Sequence, residues 1–242
     1  MGYIVALDQG TTSSRALVFD RQGRAVASHA VPFEQLYPHP GWVEHRPDDI
    51  LSSQLAALRG AIEKAGIAAD QIEAIGIANQ RETTLVWERD GGRPIANAIV
   101  WQCRRSAPEV ERLRGEGLEP LIRERTGLMP DAYFSGTKVR WLLNNVPAAR
   151  RRAQAGELCF GTVDSYLVYR LTGGRNHVTD ATNASRTMLF DIRRQRWDAE
   201  LLDAMDIPPA ILPAVVDSAQ VVGMLDSRIL GREIPLAALA GD

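Results

Sequence analysis

Apolar residues open the chain as a run, Tyr3-Ile4-Val5-Ala6-Leu7, that stops on Asp8. A run this short is read as a strand buried on both faces. It gives way to Gln9-Gly10-Thr11-Thr12-Ser13-Ser14-Arg15 and resumes as Ala16-Leu17-Val18-Phe19-Asp20. Residues 20–23 read as a turn and 25–31 as a third strand, so the pattern predicts an antiparallel meander. Residues 32–47, rich in Pro, His and aromatics, read as an ordered loop. Pro47 then opens a helix at a position where a missing N–H costs nothing, and Asp48 and Asp49 suit its positive end. Leu51, Leu55, Leu58 and Ile62 fall on one face, and Gly66 ends it.

The next apolar run, residues 72–78, predicts a strand ending in Asn79-Gln80-Arg81-Glu82. Further strands are expected at 83–87, 98–101, 157–160 and 188–190, with weaker ones at 221–224 and 234–236. Residues 106–145 are helical in pattern, broken at Gly115, Gly117, Gly127 and Pro130. Helices are also expected at 164–171, stopped by Gly173-Gly174, and at 197–205. There is no internal repeat and no linker that divides the chain. A meander followed by strands alternating with helices argues for an α/β fold, a mixed sheet covered by helices, over residues 1–242.

Composition changes this picture little. With 242 residues, 45% of them hydrophobic and 24% charged, the chain has the make-up of a soluble globular protein. A net charge of −2 favours neither nucleic acid nor an anionic membrane as partner. No apolar run approaches 18 residues and no charged-then-apolar leader is present, so a cytoplasmic protein without membrane insertion is expected. Cys103 and Cys159 lack metal or redox spacing, and the four histidines form no ligand pair. The run Arg150-Arg151-Arg152 reads as a solvated helix end.

Chemistry concentrates at the strand ends. Gly10 is able to take a positive φ, so its turn is expected to present N–H groups and four hydroxyls to an anion, most simply phosphate. Asp8 fits such a pocket if a cation such as phosphate-bound Mg²⁺ lies between; a hairpin turn with a solvated Asp is the alternative. No Gly-Lys-Ser/Thr follows, and strand rather than helix follows the glycine, so neither a Walker loop nor a dinucleotide fingerprint is present. Arg81 donates and Glu82 accepts hydrogen bonds, a combination suited to a polyol; alternatively the two are a surface ion pair or a strand-end cap. Trp101 and Tyr133 offer a ring face and a phenolic hydroxyl, or are core residues. The apolar run 237–240 ends at Gly241-Asp242, which repeats the arrangement at Asp8.

Together these stretches resemble the FGGY carbohydrate-kinase family, which includes glycerol, xylulose and gluconate kinases. The most specific are residues 6–15, Asn79-Gln80-Arg81-Glu82-Thr83 and Ile99-Val100-Trp101-Gln102-Cys103-Arg104-Arg105. Residues 133–138, 160–164 and 182–187 add to them. The resemblance implies a ribonuclease-H-like fold of the actin and hexokinase type and transfer of the γ-phosphoryl of MgATP to a terminal hydroxyl of glycerol. It implies that Thr11, Thr12, Ser13 and Arg15 contact nucleotide phosphates, and that Arg81, Glu82, Trp101 and Tyr133 hold glycerol. Asp8 would lie at the metal, and Asp242 would be both the catalytic base and a substrate contact. It further implies a C-terminal domain beyond residue 242 with the adenine pocket, and a homo-oligomer at full length. Residues 230–233 lack the Gly-Gly-Thr-Arg pattern that resembles a fructose-bisphosphate site in some members. Another sugar or polyol as substrate, and a non-catalytic ATP-responsive scaffold, are the alternative readings.

Overall fold

Strand ends set by tight polar turns decide how the first third folds. A computed structural model describes residues 2–242. In chain order it contains β1 (Tyr3–Gln9), β2 (Ser13–Phe19), β3 (Ala25–Pro32), β4 (Glu44–His45), α1 (Pro47–Ala65), β5 (Ile72–Asn79), β6 (Leu85–Glu88), β7 (Ala98–Ile99), α2 (Ala107–Gly115), α3 (Glu119–Thr126), α4 (Ser135–Asn145) and α5 (Ala149–Gln154). There follow β8 (Leu158–Gly161), α6 (Val163–Leu171), β9 (Val178–Asp180), α7 (Ala181–Ala184), β10 (Phe190–Asp191), β11 (Arg196–Trp197), α8 (Ala199–Ala204), β12 (Ala214–Val216), β13 (Gly223–Met224), α9 (Ser227–Leu230) and β14 (Pro235–Gly241).

The main sheet runs β13-β14-β5-β1-β2-β3. The expected meander is present: β1, β2 and β3 pair antiparallel in sequence order. β5 then pairs parallel with β1, and β14 parallel with β5, so the sheet is mixed. Asp8, Ala78 and Ala240 share one level of the register; Gln9, Asn79 and Gly241 share the next. The carboxyl ends of three parallel strands therefore meet at one edge, where ligands of open α/β sheets bind.

Two expectations need correction here. β1 is buried on one face only: Val5 and Leu7 point into the core, whereas Ile4 on the other face is 49% exposed. The reason is that α1 and α6 both contribute to the core cluster that holds Val5, Leu7, Val18 and Ile75. Ala6, Ala74, Gly76 and Ala78 on the opposite face remain half-buried. On α1 the fully buried stripe is Ile50, Gln54, Ala57, Leu58 and Ala61, rotated from the leucine face read in the sequence. Small residues there let the helix approach the sheet closely, and Leu51, Leu55 and Ile62 pack at its margin. Its ends are as expected, with Pro47 in the first turn and Gly66 at φ +64°.

A second core joins α4, α5, β8 and α8, with Ile99, Leu142, Phe160, Leu189 and Met205 among its buried residues. The arginine run lies in the first turn of α5 at the surface, the helix end expected, with Arg151 exposed. Arg150 pairs with Asp206 at 2.6 Å, and Arg152 with Glu88 at 3.0 Å and Glu157 at 3.2 Å. Among the described residues no helix is long and apolar enough to cross a membrane. Cys103 and Cys159 are buried free thiols.

Burial pushes His45 and His177 down to about 4. An imidazole with a depressed folded pKa leaves the folded state fewer protons than the unfolded chain below pH 6.5. Stability is therefore intact above about 6.5 and is lost as pH falls toward 4, by on the order of 2 kcal/mol per histidine at pH 5. Urea denaturation at pH 7 and pH 5 is expected to show this loss, and His177→Asn to reduce the difference; a pH-independent midpoint would contradict it.

Candidate functional site

The turn after β1 is tighter than its sequence suggests. The Gly10 N–H donates to the Ser13 carbonyl at 3.0 Å. Gly10 does not use a positive φ; a Cβ there would instead sit 3.2 Å from that carbonyl, so close approach is what favours glycine. Ser14 is turned inward, its hydroxyl 2.8 Å from that of Ser53 on α1. The donor set is thus smaller than expected: Thr11, Thr12 and Ser13 remain at the turn. Arg15 lies across the ladder from Asp8, with Nε 3.8 Å from Oδ2 and both side chains well solvated. The pair is loose, and both groups remain available to a ligand.

After β5 the chain makes an unusual step. Glu82 adopts φ +61°, the left-handed region, although it is not glycine. Its carbonyl accepts from Thr84 Oγ1 at 3.0 Å, Ser135 Oγ at 3.1 Å and Lys138 Nζ at 3.2 Å. Lys138 also donates to the Tyr133 carbonyl. It is fully buried, and desolvation pulls it down to about 7 against the opposing pull of the Glu82 charge. These donors hold the peptide in a conformation that would otherwise cost on the order of 1–3 kcal/mol.

The Glu82 side chain, 3% exposed, accepts from Arg186 Nε at 2.6 Å. The reading of Arg81 and Glu82 as a surface ion pair is therefore wrong: the partner of Glu82 is Arg186. Among the described residues Arg81 has no ion-pair partner. Its side chain lies against Gly241, where an added Cβ would fall 2.5 Å from Cδ and 2.6 Å from Cγ. Trp101 and Tyr133 pack together, ring centroids 5.4 Å apart and planes tilted by 56°. Indole Nε1 donates to Thr11 Oγ1 at 3.0 Å, which ties the aromatic pair to the first turn. The Arg186 guanidinium lies 5.7 Å from the Tyr133 ring centroid and 4.9 Å from that of Phe134. Burial raises the Tyr133 phenol above its ordinary value, with Glu82 adding to the rise and Arg186 and Arg81 opposing it.

Asp242 closes the edge. Its N–H donates to the Asn79 carbonyl at 3.2 Å. Burial and then the charge of Asp8 lift its carboxyl above the ordinary carboxylate value, while Arg81 lowers it. The Asp8 charge thus reaches Asp242 across β5, between strands about 10 Å apart at the usual sheet spacing. Trp101 joins Tyr133 to the Thr11 turn, Arg81 lies against Gly241, and the charges of Arg81 and Asp8 both reach Asp242. Sequence reasoning missed Lys138 as the anchor of Glu82 and Arg186 as its ion-pair partner. A lysine among only two in the chain was the available signal for the first; nothing in the spacing marks the second. A cavity of about 450 Å³ elsewhere, lined by Arg89, Tyr169, Arg170 and Arg228, contains none of the site residues.

Comparison with known proteins places this edge in context. Residues 3–242 match the model of the FGGY family of carbohydrate kinases, N-terminal domain. The chain is 57% identical over 242 residues to glycerol kinase of Leptothrix cholodnii, covering 100% of this chain and 49% of that protein. It is 55% identical over 242 residues to glycerol kinase 2 of Thermotoga maritima, covering 100% of this chain and 49% of that one. It superimposes on the crystal structure of Plasmodium falciparum glycerol kinase with ADP at a TM-score of 0.94 and 32% identity, covering 100% of this chain and 49% of that chain. A ligand-bound xylulose kinase from Lactobacillus acidophilus shares the fold alone, with a TM-score of 0.89 and 24% identity over 100% of this chain and 48% of that one. The chain spans about half the length of the curated relatives it matches. With its mixed sheet and flanking helices it has the ribonuclease-H-like fold of these enzymes, and the chain belongs to the FGGY family of carbohydrate kinases.

Proposed function

We propose that this chain supplies the glycerol-facing and phosphate-facing half of an enzyme that transfers the γ-phosphoryl of ATP to a terminal hydroxyl of glycerol. The observation that carries the reading is the meeting of Arg81, Glu82, Asp242 and the Trp101–Tyr133 pair at one sheet edge. The names of the relatives favour glycerol over a longer sugar. In this reading Arg81 donates to substrate hydroxyls and the Glu82 carboxylate, aimed by its held backbone, accepts from them. The rings of Trp101 and Tyr133 cover the C–H groups. Thr11, Thr12, Ser13 and Arg15 take phosphate oxygens.

Asp242 accepts the proton of the attacking hydroxyl as the new O–P bond forms and the bond to the ADP leaving oxygen breaks. A carboxylate with raised proton affinity suits that task. Positioning and charge neutralisation do most of the work in such transfers. The residues fit a magnesium ion carried with the phosphates: the charge of Asp8 acts on Asp242 with only loosely held Arg15 beside it, and a cation would relieve it. Asp8 would hold that ion, which when bound neutralises phosphate charge. A cytoplasmic setting and an oligomer at full length accompany the reading.

Two results test it in the full-length protein. Asp242→Asn is expected to lower kcat by roughly 10²–10⁴-fold with a small change in glycerol KM. Steady-state phosphorylation of glycerol and of pentuloses checks this, and undiminished turnover, or a preference for pentuloses, would contradict it. Gly241→Ala is expected to push Arg81 aside and raise glycerol KM about tenfold, equivalent to one hydrogen-bonded group, with ATP KM nearly unchanged. An unchanged glycerol KM would argue against Arg81 as a substrate contact.

A further inference from the structure

The outer edge of β14 is held in part by a loop carbonyl and a side chain rather than by a neighbouring strand. β5 pairs with β14 along one side, but on the other β13 reaches only Pro235 and Leu236. Beyond them the Leu239 N–H donates to the Ser218 carbonyl at 2.9 Å. The Gly241 N–H donates to Thr182 Oγ1 at 2.7 Å. Both acceptor residues are fastened to one oxygen. Asp180 Oδ2 accepts from Ser218 Oγ at 2.6 Å and from Thr182 Oγ1 at 2.7 Å.

The other oxygen, Oδ1, accepts from the Asn183 N–H at 3.1 Å and Nδ2 at 2.9 Å. Asn183 Oδ1 in turn accepts from Asn79 Nδ2 at 2.9 Å, at the end of β5. Asp180 is fully buried. A hydroxyl whose proton is committed to a carboxylate has only lone pairs left to offer. Thr182 is thereby set up as an acceptor, and the N–H it receives belongs to the residue directly before Asp242.

We infer that Asp180 and Thr182 are positioning residues that clamp the end of β14 and so aim Asp242 at the reacting hydroxyl. The inference rests on the proposed function, because it takes Asp242 as the base. No proton moves through the clamp; its work is geometric, and misplacement of a reacting group by about 1 Å is enough to cost on the order of 10²-fold.

Thr182 is solvent-exposed, so its substitution leaves the core intact. In the full-length protein, Thr182→Val removes the acceptor while keeping the shape, and Thr182→Ser restores it. Steady-state kinetics with glycerol and ATP are expected to show kcat about 10–100-fold lower for T182V. Glycerol KM and Tm should stay close to wild type, and T182S should return kcat to within about threefold. A merely structural threonine would move Tm, or both variants alike. Wild-type turnover of glycerol with T182V unimpaired, or with T182S as damaged as T182V, overturns the clamp alone. Absence of glycerol phosphorylation by the wild-type protein overturns the functional reading and this role with it.

Discussion

The parallel pairing of β1, β5 and β14 is the constraint from which the rest follows. Backbone hydrogen bonds fix the register, and the register sets Asp8, Asn79 and Gly241-Asp242 within one or two residues of each other at the same edge. The sequence separation of the two carboxylates is nearly the whole chain, yet the register brings the ends of their strands to one level. A slip of one residue in β14 would turn every side chain of that strand to the opposite face. Its outer edge is held by Ser218 and Thr182 beyond the reach of β13.

A second constraint acts locally. Glu82 is placed by its backbone: a left-handed residue held by three donors to one carbonyl, among them a fully buried lysine. The same lysine donates to the carbonyl of Tyr133, so two residues from distant segments share one buried ammonium. Trp101 performs a similar join between the aromatic pair and the Thr11 turn. The site is thus a set of loop-end groups made rigid by buried polar contacts, which is how a precise constellation is kept on elements that end at a sheet edge.

How far this was legible in the chain itself varies with the range of the interactions. The meander and α1 were readable because turn residues, Pro47 and Gly66 act within a few positions. Asp8, Arg81, Glu82 and Trp101 stood out because polar or aromatic residues follow apolar runs, and Tyr133 because it lies in a turn-like stretch. The inward turn of Ser14 was not readable, because its partner Ser53 lies on α1. β9, α7 and β12 went unseen for the same reason: they are three or four residues each and are organised by Asp180, whose contacts run from Thr182 to Ser218. The left-handed backbone at Glu82 was not readable from its own neighbourhood, since Ser135 and Lys138, which hold it, lie more than fifty positions away.

The most direct test of the account is a crystal structure of the full-length protein with glycerol and magnesium ADP. The account requires glycerol at the sheet edge, with hydroxyls bonded to Arg81, Glu82 and Asp242 and carbons against Trp101 and Tyr133. Glycerol bound away from these residues, or Asp242 turned from it with no hydroxyl in reach, would contradict it.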